Sequence, residues 1–183
     1  MEKENSGSWE WLKAILIALA LAFLIRYFLF APIVVDGESM TPTLQDGDRM
    51  IVNKFSYRLF EPERFDIVVF HAPGGKDYIK RIIGLPGDEI EYSSDVLYVN
   101  GEPVDEVFLE ELKGRYEGER LTNNFTLEDV TNQFVVPEDH LFVLGDNRRH
   151  SKDSRDIGTV PYEEVIGKAS IIFWPLSEVR IAK

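Results

Sequence analysis

The 183-residue sequence contains no cysteine and only three histidines, and its 32 acidic residues outnumber its 20 basic ones, for a formal net charge of −12. Without cysteine the chain forms no disulfides, has no thiolate nucleophile and lacks the thiolate ligands of zinc sites. His71, His140 and His150 are not spaced like metal ligands, so we expect no metal and no other cofactor. Because a phosphate backbone is met by clustered Lys and Arg, the acidic charge argues against nucleic acid as a partner.

Beyond residue 36 the sequence has no long amphipathic helix and no internal repeat. Short runs rich in Val, Ile, Phe and Tyr, bounded by turn residues, are typical of β-strands. Asn100-Gly101 joins two such runs and favours a tight hairpin, because both residues tolerate positive φ. The sequence therefore predicts a mainly β domain of antiparallel strands, arranged as a β-barrel or a folded sheet. The predicted strands are residues 49–53, 66–71, 77–83, 89–92, 96–99, 133–136, 141–144 and 165–174.

Residues 12–35 are almost entirely apolar and carry charge only at Lys13 and Arg26. About 20 apolar residues in a helix cross the hydrocarbon core of a bilayer, so this run predicts a transmembrane helix over residues 12–31. A cleaved signal peptide, a buried helix and an interfacial helix are the alternatives. A cleaved signal peptide has a shorter apolar core that is followed directly by a small-residue cleavage site. An interfacial helix has a strong polar face.

This anchor divides the chain into three parts. Residues 1–11 form a short amino-terminal segment, which Lys3 and Lys13 favour keeping in the cytoplasm. Residues 12–31 form the membrane span, and residues 32–183 form an extracytoplasmic β domain. Within that domain, residues 102–129 are acidic and less regular, and we expect a surface excursion with a little helix.

Ser39 lies in a polar loop directly after the predicted anchor, between Gly37 and Pro42. A serine in such a loop usually has a structural role. On a turn, however, its backbone N–H can point outward at a developing oxyanion. The position is therefore a candidate nucleophile that needs a base.

Lys80 lies in the predicted strand 77–83, where alternation of side chains puts it on one face with Tyr78 and Ile82. An exposed lysine on the solvent side of the sheet is the ordinary interpretation. If the side chain is buried instead, desolvation lowers the pKa of the ammonium group. A neutral amine can then take the proton from a serine hydroxyl.

A polar loop over residues 145–155 follows the predicted strand 141–144. Such loops are usually solvated, but this density of hydrogen-bonding side chains also suits groups that orient catalytic residues. His150 is the only histidine in it, so a Ser-His-Asp arrangement through His150 remains an alternative.

Three segments, in this order and behind one anchor, resemble the motifs of type I signal peptidases, a family of membrane-bound serine–lysine proteases. They are Ser-Met-Thr-Pro-Thr-Leu at 39–44, Tyr-Ile-Lys-Arg-Ile-Ile-Gly-Leu-Pro-Gly-Asp at 78–88 and Gly-Asp-Asn-Arg-Arg-His-Ser-Lys-Asp-Ser-Arg at 145–155. The resemblance extends from the anchor to about Trp174. At position 37 some family members have a serine that helps to bind the oxyanion. The glycine found here is a feature in which the sequence resembles the compact enzymes of Gram-positive bacteria.

The resemblance implies a role for each matching residue. Ser39 would be the nucleophile that forms an acyl-enzyme, and Lys80 the general base. The supporting residues would be Ser151, whose hydroxyl orients the lysine, and an ion-pair cluster of Asp153, Arg155 and Arg81. The residues of the substrate pocket would be Ile33, Val35 and Ile79.

The implied function is removal of signal peptides from secreted precursors after Ala-X-Ala-like sites. The implied enzyme is a monomer in the plasma membrane, with a single span and the catalytic domain outside; its partners are signal peptides and the lipid bilayer. Three rivals stay open. They are a self-cleaving serine–lysine regulator, which would carry a DNA-binding module, a catalytically inactive binding protein on the same scaffold, and a structural surface protein.

Overall fold

The structure is a computed structural model that describes residues 5–116 and 118–182. It begins with a long helix, α1 (Asn5–Phe28), whose described side chains are exposed, including those of Trp11 and Ile17. Across the described residues, no helix combines the length and the hydrophobicity that a membrane crossing needs. The predicted transmembrane helix over residues 12–31 is therefore not confirmed. Residues 1–4 of the predicted amino-terminal segment, with Lys3, lie outside the described residues.

Twelve described strands, all paired antiparallel, form two sheets. The strands are β1 (Phe30–Val34), β2 (Arg49–Asn53), β3 (Ile67–Ala72), β4 (Lys76–Gly84), β5 (Ile90–Ser93), β6 (Val96–Val99), β7 (Glu102–Val104), β8 (Phe125–Thr126), β9 (His140–Leu144), β10 (Val160–Pro161), β11 (Val165–Trp174) and β12 (Arg180–Ile181). The large sheet has the order β1-β2-β11-β3-β4-β9-β10, with β12 beside β11, and the small sheet has the order β7-β6-β5-β8.

Short helices connect these strands. They are α2 (Ser56–Leu59), α3 (Glu110–Arg115), α4 (Leu127–Thr131), α5 (Ser154–Ile157) and the 3-10 turns Val107–Leu109, Tyr162–Glu164 and Leu176–Glu178. The mainly antiparallel β fold is thus confirmed. Among the described strands β1 and β10 do not pair, so the large sheet is open and the barrel alternative is not found.

The predicted strand over residues 133–136 is wrong. Asn132 ends α4 in the left-handed region at φ 59°, and Pro137 has no N–H to continue a ladder. Only Val136 of this segment bonds like a strand residue: it accepts from Gly87 N–H at 2.8 Å and donates to Asp88 O at 2.9 Å. Two isolated bonds do not make a strand, although they bury the side chain of Val136.

The small sheet is an insertion between two neighbouring strands of the large sheet, β4 and β9. It includes the predicted excursion 102–129, which contains β7, α3, β8 and the start of α4. This excursion has a small core of its own, made by Leu109, Leu112 and Leu121. The described residues of this segment thus combine short helices and strands with a packed core.

The loop between β1 and β2 is fastened to the large sheet by apolar side chains. Val35, Met40 and Leu44 are buried in one core cluster with Met50 and Val52 of β2. Because the apolar side chains point into the core, the polar residues between them remain at the surface of the sheet. This packing fixes the position of the segment that carries Ser39.

Candidate active site

Ser39 lies on a turn whose backbone is held from several directions. Leu44 N–H donates to Met40 O at 2.9 Å, and Thr41 N–H donates to Glu38 O at 3.2 Å. Ser39 itself is half-buried, between a buried Met40 and an exposed Glu38. The hydroxyl of Ser39 is thus presented at the edge of the core rather than within it.

Lys80 lies on β4 and contacts the hydroxyl of Ser39. Its Nζ is 2.7 Å from Ser39 Oγ and donates to Ile79 O at 2.9 Å. The residue is only 3% exposed, and burial lowers its pKa to about 8, against the opposing effect of the Asp153 and Asp146 carboxylates. The predicted alternative of an exposed, solvated lysine is therefore wrong.

The polar loop 145–155 packs directly against the serine segment. Asn147 N–H donates to Ser39 O at 3.0 Å, and the Asn147 side chain donates to Glu38 O at 3.1 Å. A Cβ added at Gly145 would lie 2.2 Å from Ser151 Oγ and 2.5 Å from Ser39 O. Only glycine therefore fits at position 145, where the loop and the serine segment meet.

The predicted ion-pair cluster consists of separate pairs. Arg81 donates twice to Asp146, with Nε–Oδ1 at 2.8 Å and Nη2–Oδ2 at 2.6 Å, and both side chains are buried. Arg155 donates twice to Asp153, both times at 2.8 Å. Asp153 also accepts from Gly145 N–H at 3.0 Å, so it ties the two ends of the loop.

Asp146 and Thr43 are two residues that the sequence analysis left without a role. Asp146 accepts from Thr43 Oγ1 at 2.5 Å in addition to its two bonds from Arg81. Both residues lie inside the quoted motifs. Their positions within the motifs marked them as candidates for a role in the site. The sequence did not show that they pair, because they are 103 residues apart and share no local pattern.

Ser151 does not make the predicted hydrogen bond to Lys80. Its Oγ is buried and has no hydrogen-bond partner among the described residues. The two bonds from Lys80 Nζ go to Ser39 and to the carbonyl of Ile79 instead. Ser151 nevertheless lies against Gly145, at the point where the loop meets the serine segment.

A cleft of about 580 Å³ contains Ser39 and Lys80. The three predicted pocket residues, Ile33, Val35 and Ile79, all line it, and so does His150. Cavities of about 600 and 650 Å³ lie elsewhere on the domain, but neither is lined by Ser39 or Lys80. Within residues 5–116 and 118–182, no group of acidic or histidine side chains is arranged to hold a metal ion.

The antiparallel β fold and the serine–lysine pair are together those of a serine endopeptidase. The family described as "Signal peptidase, peptidase S26" matches residues 8–174 of the sequence. The chain therefore belongs to the signal peptidase family, peptidase S26, and the resemblance noted from its motifs is confirmed.

Individual relatives agree with this assignment. Signal peptidase I of Bacillus caldolyticus is 47% identical over 178 residues, which cover 97% of this chain and 96% of the relative. Signal peptidase IB of Staphylococcus aureus is 42% identical over 175 residues, or 93% of this chain and 92% of the relative. The crystal structure of a signal peptidase I from Enterococcus faecalis V583 is 44% identical, with a TM-score of 0.57, and covers 60% of this chain and 97% of that chain.

Proposed function

We propose that the protein is a membrane-anchored type I signal peptidase that cuts signal peptides from secreted precursors, with Ser39 as nucleophile and Lys80 as general base. The observation that carries this proposal is the 2.7 Å contact between Ser39 Oγ and a buried lysine whose pKa is lowered to about 8. A neutral amine at that distance takes the hydroxyl proton as Oγ attacks the scissile carbonyl. The resulting ammonium then protonates the leaving amine, and water hydrolyses the acyl-enzyme with the lysine again acting as base.

The oxyanion of the tetrahedral intermediate needs donors close to Ser39. Among the described residues, the backbone N–H of Ser39 donates to no acceptor, so it is available for this role. The N–H of Gly37 is not available, because it donates to Asp46 Oδ1 at 2.8 Å. We infer that the N–H of Ser39 is the principal donor to the oxyanion.

The cleft supports a preference for small residues before the cleavage site. Its apolar wall is formed by Val35, which is buried, and by Ile33 and Ile79, which are half-buried. We expect branched side chains at these positions to leave only shallow depressions, which suit alanine better than larger groups. This wall is consistent with cleavage after Ala-X-Ala-like sequences.

We further propose that the protein acts as a monomer in the plasma membrane, with residues 1–11 in the cytoplasm and residues 32–183 outside. Exposed apolar side chains along α1, such as Leu16, Ile17 and Leu21, support contact of that helix with lipid. Exposed Trp174 and Leu176, at the end of β11, extend the apolar surface of the β domain. The test is cosedimentation of full-length protein with lipid vesicles, which fails if α1 has no affinity for the bilayer.

The catalytic proposal is tested with full-length protein in detergent and a secretory precursor whose signal peptide ends in Ala-X-Ala. We expect a single cut after the last Ala, and no cut by Ser39→Ala or by Lys80→Ala. Circular dichroism of both variants serves as the control for folding. An active Lys80→Ala enzyme would refute the serine–lysine mechanism, and an inactive, folded wild type would favour the inactive binding protein instead.

A further inference from the structure

A buried polar cluster lies where the small sheet meets the loop 145–155. Its members are Arg148 of that loop, Tyr92 of β5, and Glu106 and Thr122 of the excursion 102–129. All four residues are buried, with Arg148 2% and Glu106 4% exposed. We name these four residues the Arg148 cluster.

The cluster is held by an ion pair between Arg148 and Glu106. Tyr92 OH donates to Glu106 Oε1 at 2.6 Å and accepts from Arg148 Nη1 at 2.6 Å. Burial raises the pKa of Tyr92 well above its ordinary value, so the hydroxyl stays protonated and keeps donating. Because the Tyr92 hydroxyl is neutral, the negative charge that the cluster places against the buried guanidinium comes from Glu106 alone.

The guanidinium of Arg148 also reaches the backbone of the site. Its Nε donates to Gly145 O at 3.0 Å. Gly145 is the residue that touches both Ser151 and the carbonyl of Ser39, with no room for a Cβ. The next two residues of the loop bind Arg81 and the Ser39 carbonyl, through Asp146 and Asn147.

We propose that Glu106 is a positioning residue for the hydrolysis. By fixing the direction of the Arg148 guanidinium, it holds the Gly145 carbonyl and so keeps the loop 145–155 in register with the Ser39 segment. The excursion 102–129 thus has a role in the reaction although it contributes no group to the cleft. This inference rests on the proposed function, because it concerns the rate of the same reaction.

The alternative is that Glu106 only neutralises a buried charge. The two roles differ in what happens when the whole cluster is made apolar. A triple variant, Tyr92→Phe with Glu106→Leu and Arg148→Met, removes the buried charges together with the bond to Gly145 O. Apolar replacement of a complete buried ion pair is tolerated far better than loss of one partner, so this variant is expected to fold.

The experiment measures kcat and KM for cleavage of the precursor by wild type, Glu106→Gln, the triple variant and a control, Val99→Ala. Val99 shares the apolar core of the small sheet with Tyr92 but contributes no polar group to the Arg148 cluster, so its truncation destabilises the sheet while leaving the cluster's hydrogen-bonding groups in place. We expect kcat to fall about 10- to 100-fold in both cluster variants, since small misplacements of catalytic groups cost rates of this size. The KM should stay within about twofold of wild type, because the pocket lies on other elements.

Wild-type kcat in the folded triple variant would overturn the inference and leave Glu106 with a purely structural role. An equal fall of kcat in Val99→Ala would do the same, since general loosening of the small sheet would then suffice. If Glu106→Gln does not fold, the triple variant alone decides. If wild type itself does not cut, the proposed function fails first, so the two failures are distinguishable.

Discussion

The lowered pKa of Lys80 predicts how the rate of cleavage changes with pH. In the proposed mechanism Lys80 must be neutral to accept the proton of Ser39, and burial lowers the pKa of this lysine from 10.5 to about 8. The value of kcat/KM in the free enzyme should therefore rise with pH and level off above that value. The perturbation is a change of pH from 6 to 10 at constant ionic strength.

The expected size of the effect follows from the fraction of neutral amine. With a pKa of about 8, roughly 10% of Lys80 is neutral at pH 7 and roughly 1% at pH 6. An unperturbed lysine would be neutral to only about 0.03% at pH 7, so burial raises the reactive fraction roughly 300-fold. The rate should fall about tenfold for each pH unit below the midpoint.

Initial rates on a fluorogenic Ala-X-Ala peptide in detergent micelles provide the assay. Asp153→Asn tests the sign, because removal of this carboxylate lowers the pKa of Lys80 further and should shift the midpoint to lower pH. Asp77→Asn is the matched control: it removes an exposed charge at the rim of the cleft and should leave the midpoint unchanged. A flat profile between pH 6 and 8, or a midpoint near 10.5, would refute desolvation as the means of activating the lysine.

Three further predictions concern single substitutions. Lys80→Met should abolish cleavage yet raise the unfolding free energy at pH 7 by up to about 3 kcal/mol, because the native state no longer buries a charge. Urea unfolding measures this gain in stability. The gain should shrink between pH 8 and 10.5, because the wild-type lysine then becomes neutral in the unfolded state as well. Gly145→Ala should lower kcat at least tenfold in steady-state assays, because its Cβ would overlap Ser151 Oγ, and near-normal kcat would contradict the close approach. Thr43→Val should lower the unfolding free energy by about 2 kcal/mol through loss of its bond to Asp146, whereas Thr43→Ser should not.

The strands with clear alternation and turn residues at both ends could be predicted from the sequence. β2, β6 and β11 have the predicted bounds. β1 was missed because Phe30–Val34 continues the apolar run of α1 without a break in composition, and only pairing with β2 separates the two elements. The two-residue strands β10 and β12 are too short to show any period and exist only through their neighbours.

The site shows the same division between local and long-range information. Motif resemblance paired Ser39 with Lys80, 41 residues apart, and the two side chains lie in contact. It grouped Arg81 with Asp153 and Arg155, whereas Arg81 pairs with Asp146, the other aspartate within that stretch of the loop. Glu106 could not be predicted, because nothing in the sequence of an acidic segment distinguishes this carboxylate, the one that is buried among the segment's described residues, from those around it.

The place of β11 in the large sheet bears on when the enzyme becomes active during its synthesis. β11 lies between β2 and β3 in the sheet. It therefore connects the hairpin of β1 and β2, whose loop carries Ser39, with the hairpin of β3 and β4, which carries Lys80. Because chains emerge from the amino terminus, residues 165–174 leave the ribosome after both of these hairpins. A nascent chain therefore carries Ser39 and Lys80 before it has the strand that joins their two hairpins, and we expect proteolytic activity only after residues 165–174 have emerged.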